Sequence, residues 1–569
     1  MSNLFETLLA VRGLSDPAVR QDFFMPNYDA AHDPFLLPDM LPAVERLMQA
    51  HERHERIVIY GDYDIDGLTA TTVLLDAFEQ FGFSDVQAFI PNRFVEGYGL
   101  TMEAVDRIID TMQAQLIVTV DCGSLSEAEI VHANERGVDI IVTDHHNVAP
   151  VQPPAVGVIN PKRLLQDYPD EYHEFILKPD SPYQGKLYPF LDLAGVGVAF
   201  KLVQALQTRL PGLPAGQEKW LLDLVALGTV CDIVTLRDEN RTNVFWGLKV
   251  LAKTRRLGLK ALMAVSGVRQ EQVKARDLGF GLGPRMNAAG RLDTAEHALA
   301  MLRATDKTTA LEAARQLDEF NAARRSQQDA IFKEAVQQAE QYQDDPVLVL
   351  SGRGWNHGII GIVAAKIVEK YHKPTYVLEE MEFEAKGSAR SFGDFSVADA
   401  IRASDDIITK GGGHKLAAGV TLPTAAIPTF RQRVNQFYQS LQLQDQAALL
   451  LPREDVTAQL GEVTAELVAD ITRMEPFGPG NPQPILRSNH LSVEQVRRMG
   501  SEGQHVKLTL RDETGQLQMI AFAAPEHFFV QPGQVVDVWY QPIENEWRGM
   551  RQVEGRLLHL APSEVIAGT

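Results

Sequence analysis

Short, almost wholly apolar runs alternate with stretches of helical periodicity through the first third of the chain. The runs are IVIY (57–60), VQAFI (86–90), LIVTV (116–120) and VDIIV (138–142), and helices are predicted over 68–81, near 101–113 and near 125–136. Apolar runs of this length between helices predict a parallel sheet, because strands covered on both faces lose the polar alternation of half-exposed ones. Residues 1–40 precede this pattern as an arm closed by the Pro-bearing FFMPNYDAAHDPFLLPDMLP. After about residue 236 the pattern turns helical and locally basic, with Lys249, Lys253, Arg255, Arg256, Lys260, Arg269, Lys274 and Arg276 close together. From about 307 to 342 Ala, Gln, Glu and Arg dominate without Gly or Pro, which predicts one long helix able to bridge two lobes. A second α/β lobe starts at PVLVL (346–350), continues through a helix near 361–371 and TYVL (375–378), and ends near 440. Beyond 450, HVKLTL, LQMIAFA and VVDVWY are separated by the turns DETG and QPGQ, which predicts a small β-barrel of the OB-fold type. The expected organisation is therefore an arm (1–40), an α/β domain (41–235), a helical connector (236–343), a second α/β domain (344–440) and a barrel (450–569).

Composition narrows the functional classes. Of 569 residues, 45% are hydrophobic and 23% charged, as in a soluble globular protein. No run approaches the roughly 18 uninterrupted apolar residues of a membrane helix. The N-terminus lacks a basic segment ahead of an apolar core, so a cytoplasmic location is expected. Cys122 and Cys231 are the only cysteines, too few for a disulfide framework. The net charge of −21 argues against binding nucleic acid by a broad basic surface. It leaves room for a narrow basic cleft, because steering follows local potential.

The chemistry lies in where acids and imidazoles fall relative to the apolar runs. GDYDIDG follows the first run with Asp62, Asp64 and Asp66; Asp121 follows LIVTV; Asp144, His145 and His146 follow VDIIV; Asp232 closes the apolar run LLDLVALGTVC. Residues just past the carboxyl ends of parallel strands share one crevice, so these segments are expected to meet there. So many carboxylates would repel one another without a cation. Oxygen ligands with one or two His suit Mn²⁺ or Mg²⁺ better than zinc. Two such ions would serve attack on phosphorus, the chemistry of a phosphodiesterase. Taken alone, a DxDxDG loop is as often a calcium loop or a solvated turn, and DHH a helix cap with surface histidines. Their convergence is what argues for a site.

GDYDIDG, VTVDCG, VTDHH and ALGTVCDIV resemble, in order, four motifs of the DHH phosphoesterase superfamily. PNRFVEGYGL, AGVGVAFKL, LGPRMNAAGRL, GSARS, GGGHKLAAG and PFGPGNPQP narrow the resemblance to the RecJ family, bacterial 5′→3′ exonucleases specific for single-stranded DNA. It extends from about 40 to 560. It implies a parallel-sheet DHH domain, a long helix, a DHH-associated α/β lobe and a C-terminal OB-fold barrel. Residue by residue, it implies Asp64, Asp66, Asp121, His145 and Asp232 as ligands of two Mn²⁺ or Mg²⁺ ions. His146 is implied as ligand or acid, Asp62 occupies a further motif position, and Asp121, His145 and His146 would be catalytic. Cys122 and Cys231 depart from the Asn and Ala common at those positions. Both are expected to be small buried core residues, since hard divalent ions disfavour thiolate.

The resemblance also implies residues that hold the strand: Arg93, Arg285, Arg291, Ser388 with Arg390, and His414 in GGGH. Guanidinium groups bind phosphate oxygens bidentately, and glycines allow close backbone approach. The barrel, with the basic tract 249–276, would hold incoming single-stranded DNA, with Phe522, Phe528 and Tyr540 as candidate stacking residues. The activity implied is 5′→3′ release of mononucleotides in recombination and repair. A single-stranded-DNA-binding protein and a RecQ-type helicase are expected partners, and the chain is expected to be a monomer. The alternatives are a DHH phosphodiesterase acting on short oligoribonucleotides or cyclic dinucleotides, and a silent scaffold bound to a replication helicase. The long helix and barrel weigh against the first, and the complete ligand set weighs against the second.

Overall fold

The computed structural model describes residues 3–97, 99–178, 181–441, 443, 450–547 and 550–563, and divides into two compact units. One comprises His32–Val234 and Trp246–Gln446; the other comprises Met1–Ala31, Thr235–Phe245 and Ala447–Thr569.

The larger unit holds two sheets. In the first, strands β1 (Ile57–Gly61), β2 (Val86–Phe89), β3 (Leu116–Val120), β4 (Asp139–Thr143) and β5 (Gly157–Ile159) are all parallel, in the order β2-β1-β3-β4-β5. Every residue of β1 and β3 is buried, which is why these strands read as unbroken apolar runs. The register pairs Gly61 with Val120 and Val120 with Thr143. The next residues in the chain, Asp62, Asp121 and Asp144, therefore emerge side by side at one sheet edge. The helix Ile65–Phe81 follows β1 directly and buries Leu68, Val73, Leu74 and Phe78.

The helix Lys307–Gln341 is continuous over 35 residues, capped by the Asp306 side chain, which accepts from the amides of Thr308 and Thr309. Its first half buries Ala310, Ala314 and Leu317. Further along, Ile331, Ala335 and Ala339 join Leu348, Ile359 and Val363 in the core of the second lobe. That lobe's sheet runs β6 (Leu348–Arg353), β7 (Thr375–Glu380), β8 (Glu384–Arg390), β9 (Lys410–Gly413) and β10 (Ala417–Pro423), in the order β6-β7-β8-β10-β9. β6 and β7 are parallel and the remaining pairs antiparallel.

The smaller unit is a closed barrel. β11 (Val456–Thr457) precedes β12 (Leu486–Met499), β13 (His505–Arg511), β14 (Gln516–Ala521), β15 (Val535–Trp547) and β16 (Met550–Pro562). Antiparallel pairing of β12 with β15, and parallel pairing of β14 with β16, close five strands on themselves. This is the OB-fold topology expected from the sequence. Residues 1–40, expected as an arm, contain the helix Asn3–Val11, whose Leu4, Phe5, Leu8 and Leu9 share one core with Leu467, Leu508, Met519 and Tyr540. Arg12 fastens this end, its guanidinium donating to both oxygens of Asp455 at 2.6 and 2.9 Å. Arg241 lies 3.8 Å over the Phe23 ring and donates to the carbonyls of Phe23 and Met474. Of the candidate stacking residues, Phe528 and Tyr540 are core: burial there supplies their packing and leaves no face for a base. Phe522 is exposed. Residues 564–569 of the expected barrel domain lie outside the described residues.

Candidate metal centre

The loop after β1 is shaped by its own acids. Asp64 caps the helix Ile65–Phe81, its carboxylate accepting from the amides of Asp66 at 2.9 Å and Gly67 at 3.2 Å. That turn buries Asp66, which accepts from the amides of Gly195 at 2.6 Å and Val196 at 2.9 Å, at the start of the helix Gly195–Gln207. Asp121, with φ of 63°, follows β3 and donates its amide to Thr143 O at 2.9 Å. A left-handed backbone turns its side chain back over the sheet edge, a conformation Asp tolerates better than most residues.

His145 is the hub. Its Nε2 lies 3.1 Å from Asp121 Oδ1, 3.6 Å from Asp232 Oδ2 and 3.8 Å from Asp66 Oδ2. Asp232 arrives differently from the sequence expectation. LLDLVALGTVC lies in the helix Leu222–Cys231 and the short turn before it, so Asp232 sits at a helix C-terminus and not at a strand end. A fully buried apolar helix lacks the polar periodicity that would separate it from a strand. Gly228 in that helix allows the approach: a Cβ there would stand 2.4 Å from Thr69 Oγ1 and 2.9 Å from Asp66 Oδ1.

His146 is oriented by Asp144, which accepts from its Nδ1 at 2.8 Å and from its amide at 3.1 Å. The other Asp144 oxygen accepts from the Ser124 amide at 3.0 Å. Sequence reading gave Asp144 no separate role. The adjacency of an acid to two histidines was the signal that could have assigned it one.

Three overlapping groups have ligand atoms within 4.8 Å of one another: Asp121, His145 and His146; Asp66, His145 and Asp232; and Asp62, Asp64 and Asp121. Asp62 Oδ1, Asp121 Oδ1, His145 Nε2 and Asp232 Oδ2 are buried without a hydrogen-bond partner. Where they approach one another they do so without hydrogen-bond alignment. Burial, followed by mutual repulsion, raises the carboxyl pKa values of Asp62, Asp66, Asp121 and Asp232, that of Asp232 to about 9. Burial depresses His145 to about 3. Burial works against the ionised forms of Asp144 and His146 too, but their hydrogen bond and mutual attraction win: Asp144 is lowered and His146 raised. Orphaned, buried, mutually repelling oxygens beside a neutral imidazole nitrogen are the donor set hard divalent cations take. The residues fit two Mn²⁺ or Mg²⁺ ions. The cysteines do not compete, since burial raises both thiols; Cys122 packs in the sheet core and Cys231 Sγ donates to Leu278 O at 3.6 Å.

The candidate strand-binding residues divide. Arg93 lies 4.2 Å over the ring of Tyr63, between Asp62 and Asp64 in the chain. Arg291 donates to Gly358 O at 2.8 Å, at the start of the helix His357–Tyr371. Its pKa falls to about 10 through burial and the charges of Arg93 and Arg324. Arg324 escaped sequence reading because the long helix offers many Arg residues; here it is buried and donates to the neutral amides of Asn321 and Gln328 at 2.6 and 2.9 Å. Arg390 donates to Ser388 Oγ at 3.2 Å, and both border Gly361, where a Cβ would stand 2.9 Å from Ser388 Oγ. Arg285 is held instead by Asp318 at 2.8 Å and Gly281 O at 2.6 Å, so it joins its helix to the long helix. His414 is exposed just past β9. In the basic tract, Arg256 is bound by Asp76 and Asp223, and Arg255 lies over Trp220.

Sheet, helix and acid–imidazole cluster together define a DHH-family phosphoesterase, and a model of the DHH family N-terminal domain matches residues 56–229. Models of the DHHA1 domain and the RecJ OB domain match residues 344–440 and 454–559. The single-stranded-DNA-specific exonuclease RecJ of Bacillus subtilis is 36% identical over 566 residues, covering 99% of this chain and 68% of that protein. Its counterpart from Escherichia coli is 33% identical, covering 90% of this chain and 88% of that one. A crystal structure of RecJ from Thermus thermophilus in complex with Mn²⁺ superposes with a TM-score of 0.78 at 30% identity, covering 99% of this chain and 76% of that one. The chain belongs to the RecJ family.

Proposed function

We propose that this chain is a metal-dependent exonuclease that degrades single-stranded DNA 5′→3′, releasing 5′-mononucleotides in recombination and repair. The observation that carries this reading is the convergence of Asp66, Asp121 and Asp232 on His145 Nε2 within 3.8 Å. Asp64, Asp66, Asp121, His145 and Asp232 would hold two Mn²⁺ or Mg²⁺ ions, with Asp62 at their border. Such ions, when bound, polarise phosphoryl oxygen and acidify water.

The chain's own residues position and protonate. The Gly195 and Val196 amides fix the Asp66 carboxylate. Asp144 orients the His146 ring through Nδ1 and favours its protonated form, from which a proton could pass to the departing oxygen. Arg93, Arg291, Ser388 and Arg390 bind phosphates of the strand, His414 contacts it from the second lobe, and Arg285 positions its helix. We assign catalysis to the domain at 41–235, phosphate binding to the lobe at 344–440 and strand affinity to the barrel.

No helix among the described residues is long and apolar enough to cross a membrane. A cytoplasmic monomer receiving strands from a single-stranded-DNA-binding protein and a RecQ-type helicase fits this role. End-labelled single-stranded and duplex DNA, digested with Mn²⁺, Mg²⁺ or chelator, tests the reading. Metal-dependent loss of the 5′ label from single strands is expected; degradation from the 3′ end would refute it.

A further inference from the structure

Glu379 holds His357 at two points. Its Oε2 accepts from Nδ1 at 2.8 Å and from the backbone amide at 3.1 Å, at the start of the helix His357–Tyr371. With Nδ1 facing a carboxylate, a neutral imidazole keeps its one proton there. Nε2 is turned away from Glu379 and has no hydrogen-bond partner among the described residues, and the side chain is 32% exposed. Capping of the helix does not require the imidazole, because Asn356 Oδ1 already accepts from the Gly358 amide at 2.8 Å.

Two relationships put His357 beside Ser388 and Arg390. Gly361 lies four residues on, on the same helix face and about 6 Å further along the axis. A Cβ there would stand 2.9 Å from Ser388 Oγ and 3.2 Å from Arg390 Nη2. In the sheet this helix packs on, Val377 pairs with Ser388 and Glu379 with Lys386. Glu379 and Ser388 are thus diagonal neighbours on one face, about 7–8 Å apart. Towards the metal centre, the imidazole meets the Phe94 ring edge-on at 5.0 Å, one residue past Arg93. The next carbonyl, Gly358 O, accepts from Arg291 at 2.8 Å.

We infer that His357, oriented by Glu379, is a third donor to the phosphate held by Ser388 and Arg390, and that this phosphate is the 5′ end of the strand. A terminal phosphate monoester offers three acceptor oxygens where an internal diester offers two. A third donor therefore favours an end over the interior. Because Nδ1–H is committed to Glu379, Nε2 donates only from the doubly protonated ring, so the contact is lost as pH rises and that second proton leaves. Glu379 is the carboxylate bonded to the ring. Lys386 and Arg390 come from β8, Arg291 from the helix Gly283–Leu292, Arg93 from the loop of Phe94 and Arg324 from the long helix. The nearby acids have other partners: Glu334 accepts from Trp355 Nε1 at 2.8 Å, and Asp293 pairs with His297 at 3.0 Å. The inference rests on the exonuclease reading and adds a residue to its recognition of the 5′ end.

The test compares kcat/KM for 5′-phosphorylated and 5′-hydroxyl single strands with Mn²⁺, from about pH 6 to 8, where histidine changes charge. The proteins are the full chain, His357→Ala and His357→Gln. Ionisation of the phosphate itself is common to all three and cancels when they are compared at one pH. At the acidic end, His357→Ala should cut the advantage of the 5′ phosphate about tenfold, through KM, as expected for one hydrogen bond to a charged group. The deficit should shrink towards the alkaline end, where wild type has no Nε2 proton to give. His357→Gln, whose amide donates at every pH, should restore most of the advantage and hold it as pH rises. It also carries the test should His357→Ala melt below wild type. Equal slowing of both substrates, or a deficit that is the same at every pH, would make His357 a structural residue and overturn this inference alone. A wild type indifferent to the 5′ phosphate would overturn it together with the place given to Ser388 and Arg390. A wild type that degrades no single strand with either metal would overturn the exonuclease reading as well.

Discussion

A Cβ on Gly195 would stand 2.6 Å from Asp121 Oδ1, so the helix that fixes Asp66 presses its bare backbone against the acid at the end of β3. Asp121 therefore has no room to swing away, and its charge can be tested without moving it. Asp121→Asn keeps the size of the side chain and tolerates the φ of 63°. Turnover should fall more than a hundredfold while the metal-free protein melts no lower than wild type, because a repelling carboxylate has been removed. Activity within tenfold of wild type, about 1.4 kcal/mol in barrier, would refute the metal-centre assignment. End-label digestion and thermal melting read the two sides.

The raised carboxyl groups predict how stability depends on pH without metal. Asp62, Asp66, Asp121 and Asp232 bind protons more tightly folded than unfolded, so their contribution is complete below the ordinary carboxyl range and is lost as pH rises through their folded values. For Asp232 that value is about 9. The raised His146 acts in the same direction. His145, held near 3, opposes them, but only below its unfolded value of about 6.5. Between pH 7 and 9 the sign is thus set by the acids and His146. The melting temperature in chelator should fall across that interval, and saturating Mn²⁺ should flatten or reverse the fall. A rise in chelator would contradict the crowding of these carboxylates.

Among the residues proposed to bind phosphates, we assign the 5′ phosphate to Arg390 and Ser388, which lie 3.2 Å apart. Arg390→Ala should reduce the advantage of 5′-phosphorylated over 5′-hydroxyl oligonucleotides more than it slows hydrolysis of a minimal substrate. Comparing kcat/KM for the two ends with both proteins checks this. An unchanged ratio would move the 5′ site elsewhere.

The barrel should add affinity for long strands without adding chemistry. Removing residues from about Leu449 onward would uncover Leu4, Phe5, Leu8 and Leu9 of the N-terminal helix, so a point substitution is the cleaner probe. Phe522 is exposed, and its ring lies 5.4 Å from that of His505. Phe522→Ala should weaken binding of a long single strand by about 1–3 kcal/mol if a base stacks there, and leave cleavage of very short oligonucleotides nearly unchanged. Fluorescence anisotropy with strands of two lengths separates the outcomes.

The sheet edge was legible because parallel strands place their exits in one row, and Asp62, Asp121 and Asp144 follow the register partners Gly61, Val120 and Thr143. Asp232 was legible as a participant but not in its setting, since an all-apolar run does not distinguish helix from strand. The division of labour within DHH was hidden. Which acid binds a metal and which orients an imidazole depends on a 2.8 Å contact that spacing does not encode. Arg285 reads in sequence like Arg291, but Asp318, 33 residues away, takes its guanidinium. Tyr540 failed as a stacking candidate because strand alternation does not say which face of a closed barrel is inside, and Phe528 because it lies in the short 3-10 turn Glu526–Phe528, where its ring joins the barrel core.

The shared core of the helix Asn3–Val11 and the barrel has a consequence for synthesis. Arg12 pairs with Asp455, 443 positions further along the chain, so the helix Asn3–Val11 is made well before the strands it packs against exist. At about 5–20 residues per second the delay is roughly 20–90 s. Through that interval Leu4, Phe5, Leu8 and Leu9 have no core to join. The barrel unit is complete only once the segments around Arg12 and Asp455 have both been synthesised.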